Sequence, residues 1–148
     1  MWTYEGKEVK TVSDMPNEDV YGFIYEVTHT PTNKKYIGKK VIKFNKKLPP
    51  LKGTRKKRLV EKESNWISYY GSNDVIKNLI KEKKHSEFKR EILIFAYSKI
   101  ELTYLETKYQ FIREVLEKDN YLNINILGKF YKGRIWAVTP WSRQKSSE

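Results

Sequence analysis

The spacing of hydrophobic positions along this chain changes several times, and each change marks an element. Trp2-Thr3-Tyr4 and Lys7-Glu8-Val9 put strand formers on both sides of Glu5-Gly6, which predicts a small hairpin at the margin of the fold. Val20 to Thr28 is aromatic and β-branched, Thr30-Pro31-Thr32-Asn33 is turn chemistry, and Lys34 to Lys40 is strand-like again. That order predicts an antiparallel hairpin. The following polar segment is broken by Pro49-Pro50 and Gly53, so it cannot be one helix and is expected to be a loop with a short helical piece. Ser64 to Tyr70 suits a helical turn closing at Gly71. Ser72-Asn73-Asp74 offers capping side chains ahead of Val75, Leu79 and Ile80, which predicts a helix to about Lys84. Phe88 to Tyr97 is apolar enough for a third, buried strand. Ser98 and Glu101 have capping-box spacing, and Leu105, Tyr109, Ile112 and Leu116 follow at helical intervals, so a long helix is expected to end near Asp119-Asn120. Strands and helices mixed in this order give an α+β class.

Length limits this to one domain, since 148 residues support a modest core and not two well-packed ones. Its expected parts are an N-terminal extension or hairpin at 1–19, a core at 20–128 and a basic tail at 129–148. The tail's Lys129, Lys132, Arg134, Trp136 and Trp141 offer further nucleic-acid contact, and Ser146-Ser147-Glu148 is expected to fray.

Charge then changes the picture. The formal net charge is +12, and residues 39–62 hold eleven Lys or Arg against the single acid Glu61. A solvated face usually mixes signs, whereas cations packed this densely repel one another unless a polyanion is present. Nucleic acid is the expected partner, because neutralising phosphates releases their condensed counterions. An anionic membrane surface is the weaker candidate, since the segment lacks a helical apolar stripe. The absence of cysteine excludes disulfides and thiolate metal sites. Met1 to Lys10 has no apolar leader core, and nowhere do eighteen apolar residues run together. A soluble, cytoplasmic, non-secreted protein is the expectation.

The candidate chemistry is oxygen-based. Tyr25 and Tyr36 lie eleven residues apart on the two hairpin strands, a basic stretch follows, and a later helix bears acids. Glu101 occupies the fourth capping-box position, where a carboxylate satisfies a free backbone N–H and the helix dipole, so its role there is structural. Leu105, Tyr109, Ile112 and Leu116 lie within one sector of that helix, and Glu106 falls beside it, with Gln110 and Arg113. Such a carboxylate borders the buried face and can reach a cleft from an anchored helix; by position alone the favoured reading is a solvated helical Glu. His29, in a turn, and His85, at a helix end, have no metal-ligand spacing and read as surface residues. Tyr69 and Tyr70, beside Trp66, suit packing, with stacking on a base as the alternative.

The paired segments Phe23-Ile24-Tyr25 and Tyr36-Ile37-Gly38 resemble the double signature of the GIY-YIG nucleases, the first in variant form. The order Trp66-Ile67-Ser68-Tyr69-Tyr70-Gly71-Ser72, Phe88-Lys89-Arg90-Glu91-Ile92-Leu93, Leu105-Glu106-Thr107-Lys108 and Tyr121-Leu122-Asn123 is similar to stand-alone bacteriophage members of that family. The resemblance implies a small three-stranded antiparallel sheet flanked by helices, with Tyr25 and Tyr36 as the motif tyrosines and Glu106 as ligand to one Mg²⁺ or Mn²⁺ ion. Asn123 is the candidate for the family's later Asn. The usual Arg after the second motif is missing, its place falling near Lys46. Lys39 and Lys40 are therefore the first candidates for the phosphate-binding cation, followed by Arg55 and Arg58. The implied activity is hydrolysis of a phosphodiester in double-stranded DNA, with a homing-type phage enzyme as the setting and restriction, repair or junction cleavage as alternatives. Backbone contact is expected from Lys43, Lys46, Lys47, Lys52, Arg55, Lys56, Lys57, Arg58 and Tyr70, and a homodimer is open to the chain. A non-catalytic nucleic-acid binder built on the same fold is the competing reading.

Overall fold

A computed structural model describes residues 1–138. The chain begins with β1 (Trp2–Tyr4) and β2 (Lys7–Val9), then β3 (Gly22–His29) and β4 (Lys34–Val41). β5 (Lys43–Leu48) and β6 (Arg58–Glu63) follow, then α1 (Asp74–Lys81), β7 (Phe88–Ala96) and α2 (Lys99–Ile112). The short pair β8 (Asn125–Ile126) and β9 (Phe130–Tyr131) leads into α3 (Lys132–Val138). Among the described residues no helix is long and apolar enough to cross a membrane.

The expected antiparallel core is present as β7-β3-β4, and the N-terminal hairpin extends it into a five-stranded sheet of order β2-β1-β7-β3-β4. β1 runs parallel to β7, with Trp2 opposite Arg90. This hairpin is integral to the core and not marginal to it, because the Trp2 side chain is buried and its indole N–H donates to the Trp66 carbonyl at 2.7 Å. Every residue of β3 is buried. Alternation sends Phe23, Tyr25 and Val27 toward Trp2, Trp66 and Ile76, while Ile24 packs with Ile37, Leu102 and Val115 on the α2 side. The β3/β7 register slips between Ile24 and Tyr25, so the extra residue of β7 lies beside that tyrosine.

Helix starts follow the capping residues expected of them. Asn73 accepts from the backbone N–H of Val75 and Ile76, and Ser98 accepts from Glu101 N–H. Helix ends come earlier than apolar spacing suggests. α1 stops at Lys81, before a left-handed Lys83, and α2 stops at Ile112, before a left-handed Glu114. The buried line of α2 differs in part: Leu102 and Gln110 are buried with half-buried Glu106 between them, and of the expected set Leu105 and Tyr109 pack half-buried on the core while Ile112 is 57 % exposed. The basic segment is neither loop nor helix over most of its length. Lys43–Leu48 and Arg58–Glu63 pair antiparallel as a separate two-stranded ribbon, and the Pro49-Pro50 break lies in the connection between them. Of the tail residues, Lys132 donates through Nζ to the Tyr121 carbonyl; Trp141 and residues 146–148 lie outside the described residues.

Candidate active site

The site is built along β4, one of the two edge strands of the sheet. In the β3/β4 register Tyr25 pairs with Gly38 and Val27 with Tyr36, which places both phenols on one face with ring centroids 6.3 Å apart. Gly38 is required by this closeness, since a Cβ there would sit 2.5 Å from the Tyr25 hydroxyl. Gly71, with φ +119°, closes over the same point; its Cβ would lie 3.5 Å from the Tyr25 hydroxyl and 3.6 Å from the Tyr36 ring. Tyr69 meets Tyr25 edge-on at 5.9 Å. Burial pushes the Tyr25 phenol well above its usual range, and Tyr69, Tyr36 and Glu106 raise it further. Tyr36 is also raised by burial, and its hydroxyl lies 3.1 Å from Ser72 Oγ.

The outward-facing backbone of this edge strand is satisfied in sequence along its length. Lys35 pairs with the backbone of Asn120 at 2.7 Å and of Leu122 at 2.6 Å. Ile37 is held by Asn123, whose Oδ1 accepts its N–H at 3.1 Å and whose Nδ2 donates to its carbonyl at 2.8 Å; Gln110 Nε2 donates to the same carbonyl at 3.3 Å. The next outward N–H, that of Lys39, supports the carboxylate of Glu106. Glu106 thus reaches the edge from the α2 side, while Tyr25 and Tyr36 reach it from the other. It shares a cleft of about 390 Å³ with Tyr36, Ser72, Asp74, Asn123 and Asn125. Burial raises the Glu106 carboxyl above its usual range, and the Lys39 ammonium, 3.9 Å from Oε1, only partly offsets this.

The two lysines after the second motif separate by alternation. Lys39 lies on the α2 side and donates to Thr103 Oγ1 at 3.1 Å. Lys40 lies on the tyrosine side, 4.1 Å above the Tyr69 ring, and donates to Asn65 Oδ1 at 2.6 Å. Its pKa is lowered by burial.

Two motif tyrosines and a helix-borne Glu meeting at one sheet edge agree with comparison to known families. Residues 2–126 match the family model described as "Putative endonuclease segE, GIY-YIG domain". The chain belongs to the GIY-YIG nuclease family. No curated protein and no solved structure matches it. GIY-YIG nucleases are generally metal-dependent, and the residues present fit a hard divalent ion. The donors lining the Glu106 cleft are carboxylate, hydroxyl and amide groups with no imidazole or thiolate, and the poorly solvated carboxylate gains from a cation beside it. Among the described residues no cluster of three or more His, Asp or Glu forms a protein-only cage. Two carboxylates, Glu106 and Asp74, line that cleft and offer hard oxygen donors.

The other residues expected to meet DNA lie on or near the ribbon of this GIY-YIG domain. Lys46, Lys47, Lys52, Arg55, Lys56, Lys57 and Arg58 are exposed, and Lys43 is half-buried, 3.5 Å from Glu61. Arg55 and Arg58 are not among the residues lining the Glu106 cleft, and Arg58 Nε donates to the Pro49 carbonyl at 3.4 Å. Tyr70 is packed, with the Arg90 guanidinium 4.0 Å over its ring and His85 and Phe88 at its edges. Ser72, Asn65, Thr103 and Gln110 were not singled out for function by the sequence. Each is a polar group whose partner is fixed by tertiary contact, and only Ser72, which ends the Trp66 to Ser72 segment, and Asn65, which precedes it, had a signal nearby.

Proposed function

We propose that this GIY-YIG protein is a divalent-metal-dependent endonuclease that hydrolyses phosphodiester bonds in double-stranded DNA. A mobile, homing-type element is the proposed setting, on the resemblance to stand-alone bacteriophage members. The observation that supports the reading most strongly is convergence: the Glu106 carboxylate, 3.9 Å from Lys39 Nζ, shares one cleft with Tyr36 and acts electrostatically on the Tyr25 phenol.

Hydrolysis needs a water aligned opposite the departing 3′ oxygen. The Tyr25 hydroxyl is boxed in by Gly38, Gly71 and Tyr69 and has little freedom to move. Its proton is retained, because every neighbour acting on it raises its pKa, and its hydrogen bond with Tyr69 does the same. In this reading the hydroxyl oxygen accepts from the attacking water and fixes that water's direction, the water's proton passing to solvent and the departing 3′ oxygen taking one from it. Tyr36, braced by Ser72, hydrogen-bonds a phosphate oxygen from the neighbouring position. Lys39 and Lys40 draw the phosphate to the edge as point charges, which attract without the two-pronged orientation of Arg. Glu106 would hold the Mg²⁺ or Mn²⁺ ion, which when bound offsets charge on the phosphate and leaving oxygen. Asn123 acts through Ile37, keeping the second motif in register, and is a positioning residue in this reading.

Incubating supercoiled plasmid with wild type and with Glu106→Gln in Mg²⁺ tests the proposal. Wild type should nick or linearise it, and the variant should be slower by roughly 10²-fold or more, the scale of losing one electrostatic stabiliser. Equal nicking by both proteins overturns the mechanism.

A further inference from the structure

The ribbon β5/β6 is sorted by charge in a way the sequence does not display. Its register pairs Lys46 with Val60, Phe44 with Lys62 and Leu48 with Arg58, so these six residues share one face. They comprise three cations and three apolar side chains with no acid. Asn45 and Glu61, Lys43 and Glu63, and Lys47 and Leu59 form the other face, which holds both acids of the ribbon. Of the eleven cations in residues 39–62, the ribbon strands thus carry three on a face free of negative charge and two, Lys43 and Lys47, on a face that also holds Glu61 and Glu63, where Lys43 pairs with Glu61 at 3.5 Å.

The two faces also open on different surroundings. Phe44 and Lys62 border a groove of about 790 Å³ together with Lys39, Lys40 and Tyr69, the cation side of the catalytic edge. Glu63 borders this groove too, but its carboxylate is taken by the Trp66 indole N–H at 2.7 Å. Lys43, Asn45 and Glu61 border another cleft, with Glu18 and Asp19, and Phe44 lies on the rim of both. That cleft sets Lys43 among the acids Glu18, Asp19 and Glu61, while the groove brings Lys62 of the ribbon together with Lys39 and Lys40.

We propose that the acid-free face of the β5/β6 ribbon enters the major groove of duplex DNA and sets where on the duplex the enzyme cuts. The major groove is about 12 Å wide and admits a two-stranded β-ribbon, and six-residue strands span about 20 Å. Lys46, Arg58 and Lys62 supply donors for guanine edges and phosphates, while Val60, 43 % exposed, and Phe44, 44 % exposed, offer apolar contact for thymine methyls. Leu59, 63 % exposed on the other face, shows that apolar exposure is common to both faces, so it is the absence of acids that marks the reading one. The proposal rests on the endonuclease reading for its substrate, but not for its test.

Binding of a labelled 30-base-pair duplex of mixed sequence is followed by anisotropy in EDTA, so that cleavage is not the readout. K46A/R58A and K43A/K47A remove the same charge from opposite faces, with circular dichroism confirming that both remain folded. K46A/R58A should weaken binding at least tenfold and lower the salt slope by about 2, at about 0.9 for each phosphate no longer neutralised. K43A/K47A should stay within about twofold, because in this proposal Lys43 and Lys47, expected from the sequence to contact phosphate, stand on the face turned away from the duplex. For the wild-type chain, the major-groove ligand methyl green should displace the protein and the minor-groove ligand netropsin should not. Equal losses from the two faces, displacement by netropsin alone, or no binding overturns the proposal. A chain that binds with this face preference yet never cleaves counts against the proposed chemistry and leaves the ribbon assignment standing.

Discussion

Asn123 stands in the place of a strand partner for Ile37, accepting its N–H at 3.1 Å and donating to its carbonyl at 2.8 Å while itself almost fully buried. Both groups belong to the central residue of the second tyrosine motif. Asn123→Ala leaves a buried N–H without its partner and weakens the satisfaction of the carbonyl. It should therefore cost about 2–4 kcal/mol in chemical denaturation. Asn123→Asp retains the acceptor and loses the donor, so it should also destabilise. Wild-type stability in both variants would remove the bracing role.

Gly38 faces the Tyr25 ring more closely than any side chain permits. A methyl group at 38 would lie 2.5 Å from the hydroxyl, 2.8 Å from Cζ and 3.0 Å from Tyr36 Cε1. The Tyr25 ring cannot retreat, being packed against Trp2 at 5.5 Å and Tyr69 at 5.9 Å. Gly38→Ala should lose about 1–3 kcal/mol by overpacking. It should also lose cleavage at temperatures where it remains folded. Adding Tyr25→Phe removes the closest contact, so the double variant should regain part of the stability and none of the activity. A fully active Gly38→Ala protein would contradict the geometry.

The parts of this site legible in the sequence were those fixed by short-range rules. The tyrosine strands, the Asn73 and Ser98 caps and the apolar run of β7 each carry their signal within a few residues. The ribbon escaped because Lys43-Phe44-Asn45-Lys46-Lys47 has poor intrinsic strand preference, and its pairing with Arg58–Glu63 reaches across a proline-broken connection. The buried line of α2 escaped for a different reason. Glu106 and Gln110 occupy it as polar residues whose partners, Lys39 and Ile37, come from the edge strand. Hydrophobic spacing assigns such positions to the border, and only knowledge of the exposed strand edge explains why polar atoms belong there.

Burial raises the Glu106 carboxyl, and that has a consequence for stability opposite in sign to its proposed value for activity. A carboxyl raised in the folded state supports folding fully below its unfolded value of 4.5, and that support is lost as pH rises through the folded value. Glu106→Gln, which cannot ionise, should melt higher than wild type at pH 7 without metal. The difference should shrink as the pH falls to 4.5 and below. Thermal melts across this range check the sign. A lower melting temperature for the variant at pH 7 would mean that the Lys39 attraction outweighs burial.

Lys39 lowers the Glu106 pKa through its charge and its backbone N–H, and Lys39→Ala removes only the charge. The carboxyl then rises further, so the acid limb of the cleavage-rate profile should move to higher pH. Lys39→Arg should keep the limb near its wild-type position, whatever it does to the maximum rate. The direction distinguishes tuning of Glu106 from phosphate attraction alone, which would lower the rate at every pH without moving the limb.

Arg90 connects the N-terminal hairpin to the segment that closes the site. Its Nη1 donates to the carbonyls of Ile67 at 2.9 Å and Tyr69 at 2.8 Å, and its guanidinium lies 4.7 Å from the Trp2 ring centroid and 4.0 Å from that of Tyr70. Those carbonyls belong to the stretch that sets Tyr69 against Tyr25 and carries Gly71 and Ser72. A lysine cannot reproduce a planar group stacked between two rings while serving two carbonyls. Arg90→Lys should therefore lose about 1–3 kcal/mol. Hydrogen exchange should quicken selectively at residues 65–71, with the β3/β4 ladder little changed. Uniform loss of protection across the sheet would make Arg90 a general core residue, without a particular hold on that segment.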